Sequence, residues 1–292
     1  MKKTKYHIII PFLFPALALY ALFVMFPYGR AIYISLTEWR GLTPNPEFVG
    51  LENFQELLSD NLFWNALGNN MVYLIFIPII TLSIALYLAF LVTHGNARFS
   101  RFYRITFFFP QVMSLVAIGV LWSFIYHPRF GILSSIAAAF GAGEAIAWLG
   151  DPNLALPAVG AVVIWQAVGF YMVLFIAGME SIPISYYEAA TIDGATRWDL
   201  FWKVTLPLLW DTIRTATVFL AIAATNMFAI TQTMTQGGPN RATDVLATLV
   251  YDQAFSKGQF GYATAVAVAM FVIAFALSVL TMRATQRESL EY

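Results

Sequence analysis

No cysteine occurs among the 292 residues, which excludes disulfides, thiolate catalysis and cysteine-ligated metals. Charge is scarce as well: Asp, Glu, Lys and Arg make up 11% of the chain, against about a quarter in ordinary soluble domains. Sixteen cations balance sixteen acids, so no global basic field draws nucleic acid. No G-x-x-x-x-G-K-[ST] segment is present, and Lys257-Gly258 is the one place where a lysine adjoins a glycine. The chain therefore lacks the loop that cradles nucleotide phosphates, and any ATP-driven step would have to draw its energy from another chain. Histidine is limited to three residues; His94 and His127 bound one apolar run, about 50 Å apart along a helix and too far to share a metal. No serine, histidine and acid gather at one depth, which leaves an intramembrane hydrolase without its machinery.

What remains is apolar. A hydrophobic content of 60% and a mean hydropathy of +0.71 are those of an integral membrane protein. At roughly 20 residues per crossing, the chain is expected to be an all-α bundle of six transmembrane helices in a single domain, with no separate soluble part. The runs cover about 8–28, 68–93, 107–126, 154–179, 212–231 and 262–282. The first is longer than the core of a signal peptide, and Pro27-Tyr28-Gly29-Arg30 is a poor cleavage site, so it reads as a helix. Residues 30–65 are too polar to span, and Asn53, Phe54, Leu57 and Leu58 have the spacing of an amphipathic helix at the interface. Glu144, Asp151 and Asp252 read as solvated acids of outer loops that could also meet a partner protein.

Orientation follows from the cations. Lys2, Lys3, Lys5, Arg98, Arg101, Arg104, Arg197, Lys203, Arg214, Arg283 and Arg287 fall on the side of the N-terminus; Arg30, Arg40, Arg129, Arg241 and Lys257 fall on the other. The excess places both termini in the cytoplasm, together with the polar island at 185–207 between the fourth and fifth runs.

That island carries the signals of two short helices joined at a glycine. Ser185 and Glu188 stand in the S-x-x-E relation of a capping box, with Pro183 just before them. Gly194 can take the left-handed conformation that ends a helix. Thr196 and Asp199 repeat the start signal, and a second helix is expected to run to Pro207, whose ring blocks continuation. Ala189 and Ala190 leave the first helix thin on one side, as a helix that slots into a groove needs.

Good caps alone would equally suit an amphipathic loop; the spacing is more specific. Glu188-Ala189-Ala190, three residues, Gly194, nine residues, then Val204-Thr205-Leu206-Pro207 resembles the EAA motif of permease subunits of ABC importers, with valine where isoleucine is usual. Phe48-Val49-Gly50-Leu51-Glu52-Asn53-Phe54, and Thr235-Gln236-Gly237-Gly238-Pro239-Asn240 followed by Thr243, resemble the carbohydrate-uptake branch, the MalF-like permeases. The chain lacks the long insertion of the maltose permease subunit, so maltose is not implied. The resemblance implies a prokaryotic cell-membrane protein that is not itself an enzyme. It implies a coupling helix in which Glu188, Ala189, Ala190, Gly194, Leu206 and Pro207 meet a partner ATPase dimer carrying ATP and Mg. A second permease subunit, in a heterodimer, and an extracytoplasmic solute-binding protein complete the implied assembly.

Polar and aromatic groups inside the spans are candidates for the path of a sugar. Gln166 and Asn226 fall at similar depths, roughly 20 to 25 Å from the cytoplasmic ends of the fourth and fifth runs. Trp165, Phe170 and Tyr171 add aromatic faces near Gln166, which suit the apolar faces and hydroxyls of a carbohydrate. Similar permeases bind sugar between these two spans. Such residues also serve as lipid-facing or helix-to-helix contacts. An ion-coupled secondary transporter is the alternative reading; it calls for a charged residue deep in a span, whereas Asp211 and Arg214 lie at the inner boundary.

Overall fold

The computed structural model describes residues 2–41, 46–94, 100–140 and 146–284. Arg98, Glu144 and Arg287, used above, lie outside these residues. The first run becomes α1 (Lys2–Tyr20), a π-helical segment (Ala21–Met25) and α2 (Phe26–Ser35). The wide turn falls just before Pro27, which has no N–H to donate, and the helix continues past the expected end at residue 28. A two-residue antiparallel pair, β1 (Thr37–Glu38) and β2 (Glu47–Phe48), precedes the amphipathic helix α3 (Glu52–Ser59), which buries Asn53 and Leu57 as its spacing requires.

The second run is a single helix, α4 (Asn61–His94). The third is not. It divides into α5 (Ser100–Val112) and α6 (Leu115–Ile125), bent by 101°. Pro110 in the last turn of α5 removes a backbone donor, and Ser114 is extended with ψ 134°, so the helix restarts in a new direction. After α7 (Ile132–Ala139) comes α8 (Pro152–Glu180), the fourth run. Asp151 accepts the Asn153 N–H at 2.8 Å, and Pro152 occupies the first position, where its missing donor costs nothing. Asp151 is thus a helix cap rather than the freely solvated acid expected.

The elbow follows as α9 (Ile184–Ile192), α10 (Arg197–Asp199), a π-helical segment (Leu200–Thr205) and α11 (Leu206–Leu208). The fifth run is also divided, into α12 (Trp210–Thr225) and α13 (Phe228–Met234). Its break at Asn226, φ −110° and ψ 68°, contains neither proline nor glycine. The described residues end with α14 (Leu246–Tyr251), a π-helical segment (Asp252–Ser256) and α15 (Phe260–Ala284). Among the described residues, four helices are long and apolar enough to cross a membrane: Pro11–Ser35, Asn61–Thr93, Pro152–Glu180 and Phe260–Arg283. The pairs Ser100–Val112 with Leu115–Ile125 and Arg197–Leu208 with Trp210–Thr225 bring the number to 6 when each counts as one crossing.

Two compact units form. In the first, Met1–Trp64 with Leu249–Val272, the buried Asn53 amide donates to the Ser35 and Thr37 carbonyls, Trp39 meets Phe260 at 5.6 Å, and the Tyr262 hydroxyl donates to Asp60. The second, Asn65–Thr248 with Ile273–Tyr292, holds a core of Tyr73, Ile77, Ile118, Val159, Met172, Phe175 and Ile230. There α5 packs along α8, and α6 along α13. With 56% of its apolar window buried against 28% for α4, α8 is the centre of this unit.

Candidate functional site

The elbow is built by local hydrogen bonds. Pro183 is the residue before α9, with ψ 133°, so Ser185 is already the second helical residue and its hydroxyl cannot reach an N3 amide. The expected Ser185–Glu188 box is therefore not formed, and Glu188 is an exposed residue on the outer side of α9 rather than a cap. The other end is as expected. Gly194 has φ +83°; the Ala195 N–H reaches the Ala190 carbonyl at 2.9 Å, and the Gly194 N–H reaches that of Thr191 at 3.0 Å.

Thr196 and Asp199 make the second capping box, each side chain accepting the other's backbone N–H at 3.3 and 3.0 Å. Lys203 pairs with Asp199 at 2.6 Å and, with Thr196, holds that carboxyl well below the usual carboxylate range. The arms are joined by Tyr187 and Thr205, whose hydroxyls lie 3.2 Å apart, and the buried Phe201 ring rests on Phe90 at 4.9 Å. Pro207 does not end the second arm. It is accommodated early in α11, and the chain turns by 67° two residues later, at the buried Leu209. Glu188, Ala189, Gly194 and Pro207 are exposed, and Ala190 and Leu206 half-buried.

The five residues expected to touch a solute are placed differently from one another. Trp165 lines a nearly apolar cleft of about 980 Å³ between α4, α5 and α8. Among the described residues, Gln166, Phe170, Tyr171 and Asn226 do not line this cleft. Gln166 is half-buried; Phe170 stands edge-on to the buried Tyr171 at 5.1 Å. Asn226 is exposed and lies in the break between α12 and α13, rather than within a continuous span.

The breaks themselves escaped the sequence. Non-helical backbone at membrane depth persists where it is packed in protein or lines a polar cavity. The helices that flank them carry buried polar atoms without a hydrogen-bond partner among the described residues: the Gln111 side-chain oxygen, the Trp122 indole nitrogen and the Thr231 hydroxyl. The Trp122 ring stands edge-on to Trp165 at 5.3 Å. A second missed residue, the buried Asn70 of α4, donates to the Thr225 carbonyl at 3.3 Å and accepts the Leu246 N–H at 2.8 Å. It thereby holds the end of α12 and the start of α14. Asn70→Ala is expected to destabilise the purified protein by about 1–3 kcal/mol, the cost of orphaning buried backbone groups. Thermal inactivation in detergent measures it, and an unchanged midpoint would show that these groups find other partners.

Residues 82–287 match the family described as binding-protein-dependent transport system inner membrane component. Over 280 residues the chain is 39% identical to the diacetylchitobiose uptake system permease protein NgcF of Streptomyces coelicolor, covering 92% of this chain and 79% of that one. It is 33% identical to the multiple sugar-binding transport system permease protein MsmF of Streptococcus mutans, with 94% of each chain covered. It also superposes on a chain of a bacterial alginate ABC transporter, solved in complex with an alginate pentasaccharide-bound periplasmic protein. There the TM-score is 0.85 at 19% identity, over 98% of this chain and 96% of that one.

Proposed function

Because the chain belongs to the family of binding-protein-dependent transport system inner membrane components, we propose that it serves as the carbohydrate-uptake permease of an ABC importer, with α9 as its contact to the ATPase. It crosses a prokaryotic cell membrane six times, with both termini in the cytoplasm. A second, distinct permease subunit, an ATPase dimer holding ATP and Mg, and an extracytoplasmic solute-binding protein complete the assembly. The whole chain acts as one permease domain, and chemistry on ATP belongs to the partner.

The elbow carries this reading. A short exposed helix, ended by a left-handed glycine and followed by a capped turn, occupies the positions of the EAA spacing. Glu188, Ala189, Ala190 and Gly194 form the docking arm; Leu206 and Pro207 lie in the arm that leads into the fifth span. The sugar class follows the relatives named for diacetylchitobiose and multiple sugars. Discontinuous helices support a solute path at the two breaks, as polar backbone within a bilayer marks binding sites in other transporters.

The test is uptake by the four-component complex in liposomes. Sugars retained by the binding protein in a ligand screen are expected to enter only with ATP; uptake driven by an ion gradient without ATP would favour a secondary transporter. Trp165 and Asn226, with Gln166, Phe170 and Tyr171, are assigned to the solute path. Trp165→Ala and Asn226→Ala are each expected to lower uptake about tenfold, the loss of roughly 1.4 kcal/mol of interaction, without changing assembly. Wild-type rates in both would remove the two residues from the path.

A further inference from the structure

We propose that Arg104 and Glu180 form a tie that makes the inner half of the third span move with the elbow. A displacement of α9 then reaches α5 as well as α8. The inference rests on the permease reading above.

Arg104, the fifth residue of α5, donates from Nη2 to Oε1 of Glu180, the last residue of α8, at 2.5 Å. Each side chain is misplaced on its own helix. A cation stands in the first turns of α5, near the positive end of the helix dipole, and an acid closes α8 at the negative end. Neither charge is favoured where it sits, and the contact across helices offsets both. The Arg104 Nε is buried and makes no hydrogen bond among the described residues, so the guanidinium acts on α8 through the Nη2 contact.

Position gives the pair its role. Deeper in the membrane, α5 touches α8 backbone to backbone, the Phe107 carbonyl lying over Gly169. Along α8 this contact is 11 residues from Glu180, about 16 Å, whereas along α5 it is three residues from Arg104, about 4.5 Å. The two helices pack along one another, and the long side chains of Arg104 and Glu180 span the difference. The Gly169 contact fixes where α5 lies on α8, and the ion pair adds a charged tie at the Glu180 end, nearest the elbow. Glu180 is also three residues from Pro183, the residue before α9, so force applied to the elbow enters α8 at the tie. The other end of α5 is the break at Met113-Ser114.

The test uses the complete transporter in liposomes and reads solute moved per ATP hydrolysed. The solute is diacetylchitobiose or, where the ligand screen selects another sugar, that sugar. Arg104→Glu and Glu180→Arg are each expected to keep ATP hydrolysis that responds to the binding protein. Solute per ATP is expected to fall about fivefold, the low end of typical coupling between sites. The double exchange restores the ratio. A purely structural role would change assembly and both rates together and leave the ratio intact. Wild-type ratios in the single variants overturn the proposal, as does a double exchange that assembles normally without recovery. Where a reversed charge prevents assembly, Arg104→Gln and Glu180→Gln are read by the same ratio, and a wild-type value there overturns it. The wild-type complex checks the permease reading separately, since uptake without ATP would refute that reading whatever the variants do.

Discussion

Gly194→Val is expected to reduce ATP-driven uptake at least about tenfold while leaving the amount of assembled complex near wild type. The left-handed conformation at φ +83° costs an ordinary L-residue about 1–2 kcal/mol, and a β-branched one more, enough to shift the population of the elbow by roughly a factor of ten. Nothing lies within 4 Å of a Cβ built at this position, so the penalty is conformational and not a clash with neighbours. Gly194→Asn provides the contrast, because asparagine visits this conformation routinely; it should retain most of the uptake. Uptake and binding-protein-stimulated ATP hydrolysis, measured together in liposomes, separate a misdirected elbow from an unassembled one. Valine at 194 with wild-type uptake and stimulation would sink the assignment of α9 as the ATPase contact.

Gly169→Ala is expected to be the most damaging single change to stability. A Cβ there would overlap the Phe107 carbonyl and approach the Phe108 nitrogen, both backbone atoms of α5 that no rotamer change can clear. Overpacking in a tight core costs typically 1–3 kcal/mol, and displacing a helix backbone lies at or above the top of that range, about 3 kcal/mol. The expected result is a lower thermal inactivation midpoint in detergent and less monodisperse protein. Gly29→Ala, with nothing within 4 Å, is the neutral control. Equal midpoints for the two variants would mean that α5 and α8 are not held at this distance.

The features that could be read from sequence are those written in local or averaged signals. Long apolar runs revealed α4, α8 and α15 to within a few residues at most ends, because hydropathy accumulates over a whole crossing. Gly194 and the Thr196–Asp199 box were legible because helix ends are set by neighbours three or four residues away. The Ser185–Glu188 box failed on equally local chemistry: Pro183 takes the capping position first. The breaks at Met113-Ser114 and Asn226-Met227 were hidden for a different reason. A window average passes over a two-residue interruption, and the Asn70 amide that donates to the Thr225 carbonyl stands 155 residues earlier. Pro110 was a usable warning for the third run; Asn226 offered none that composition could separate from an ordinary polar residue. The solute path inherits this limit, since depth counted along an unbroken helix cannot say which of Trp165, Gln166 and Asn226 share a face.

The elbow has a consequence for descent. Its shape is held by the Gly194 turn, the Thr196–Asp199 box, the Lys203 pair and the Tyr187–Thr205 contact, none reaching further than 18 residues along the chain. Apart from the rest of Phe201 on Phe90, the instructions for this part travel inside it. Such a segment can be inherited as a cassette. The spans around it can then change sequence without disturbing its shape.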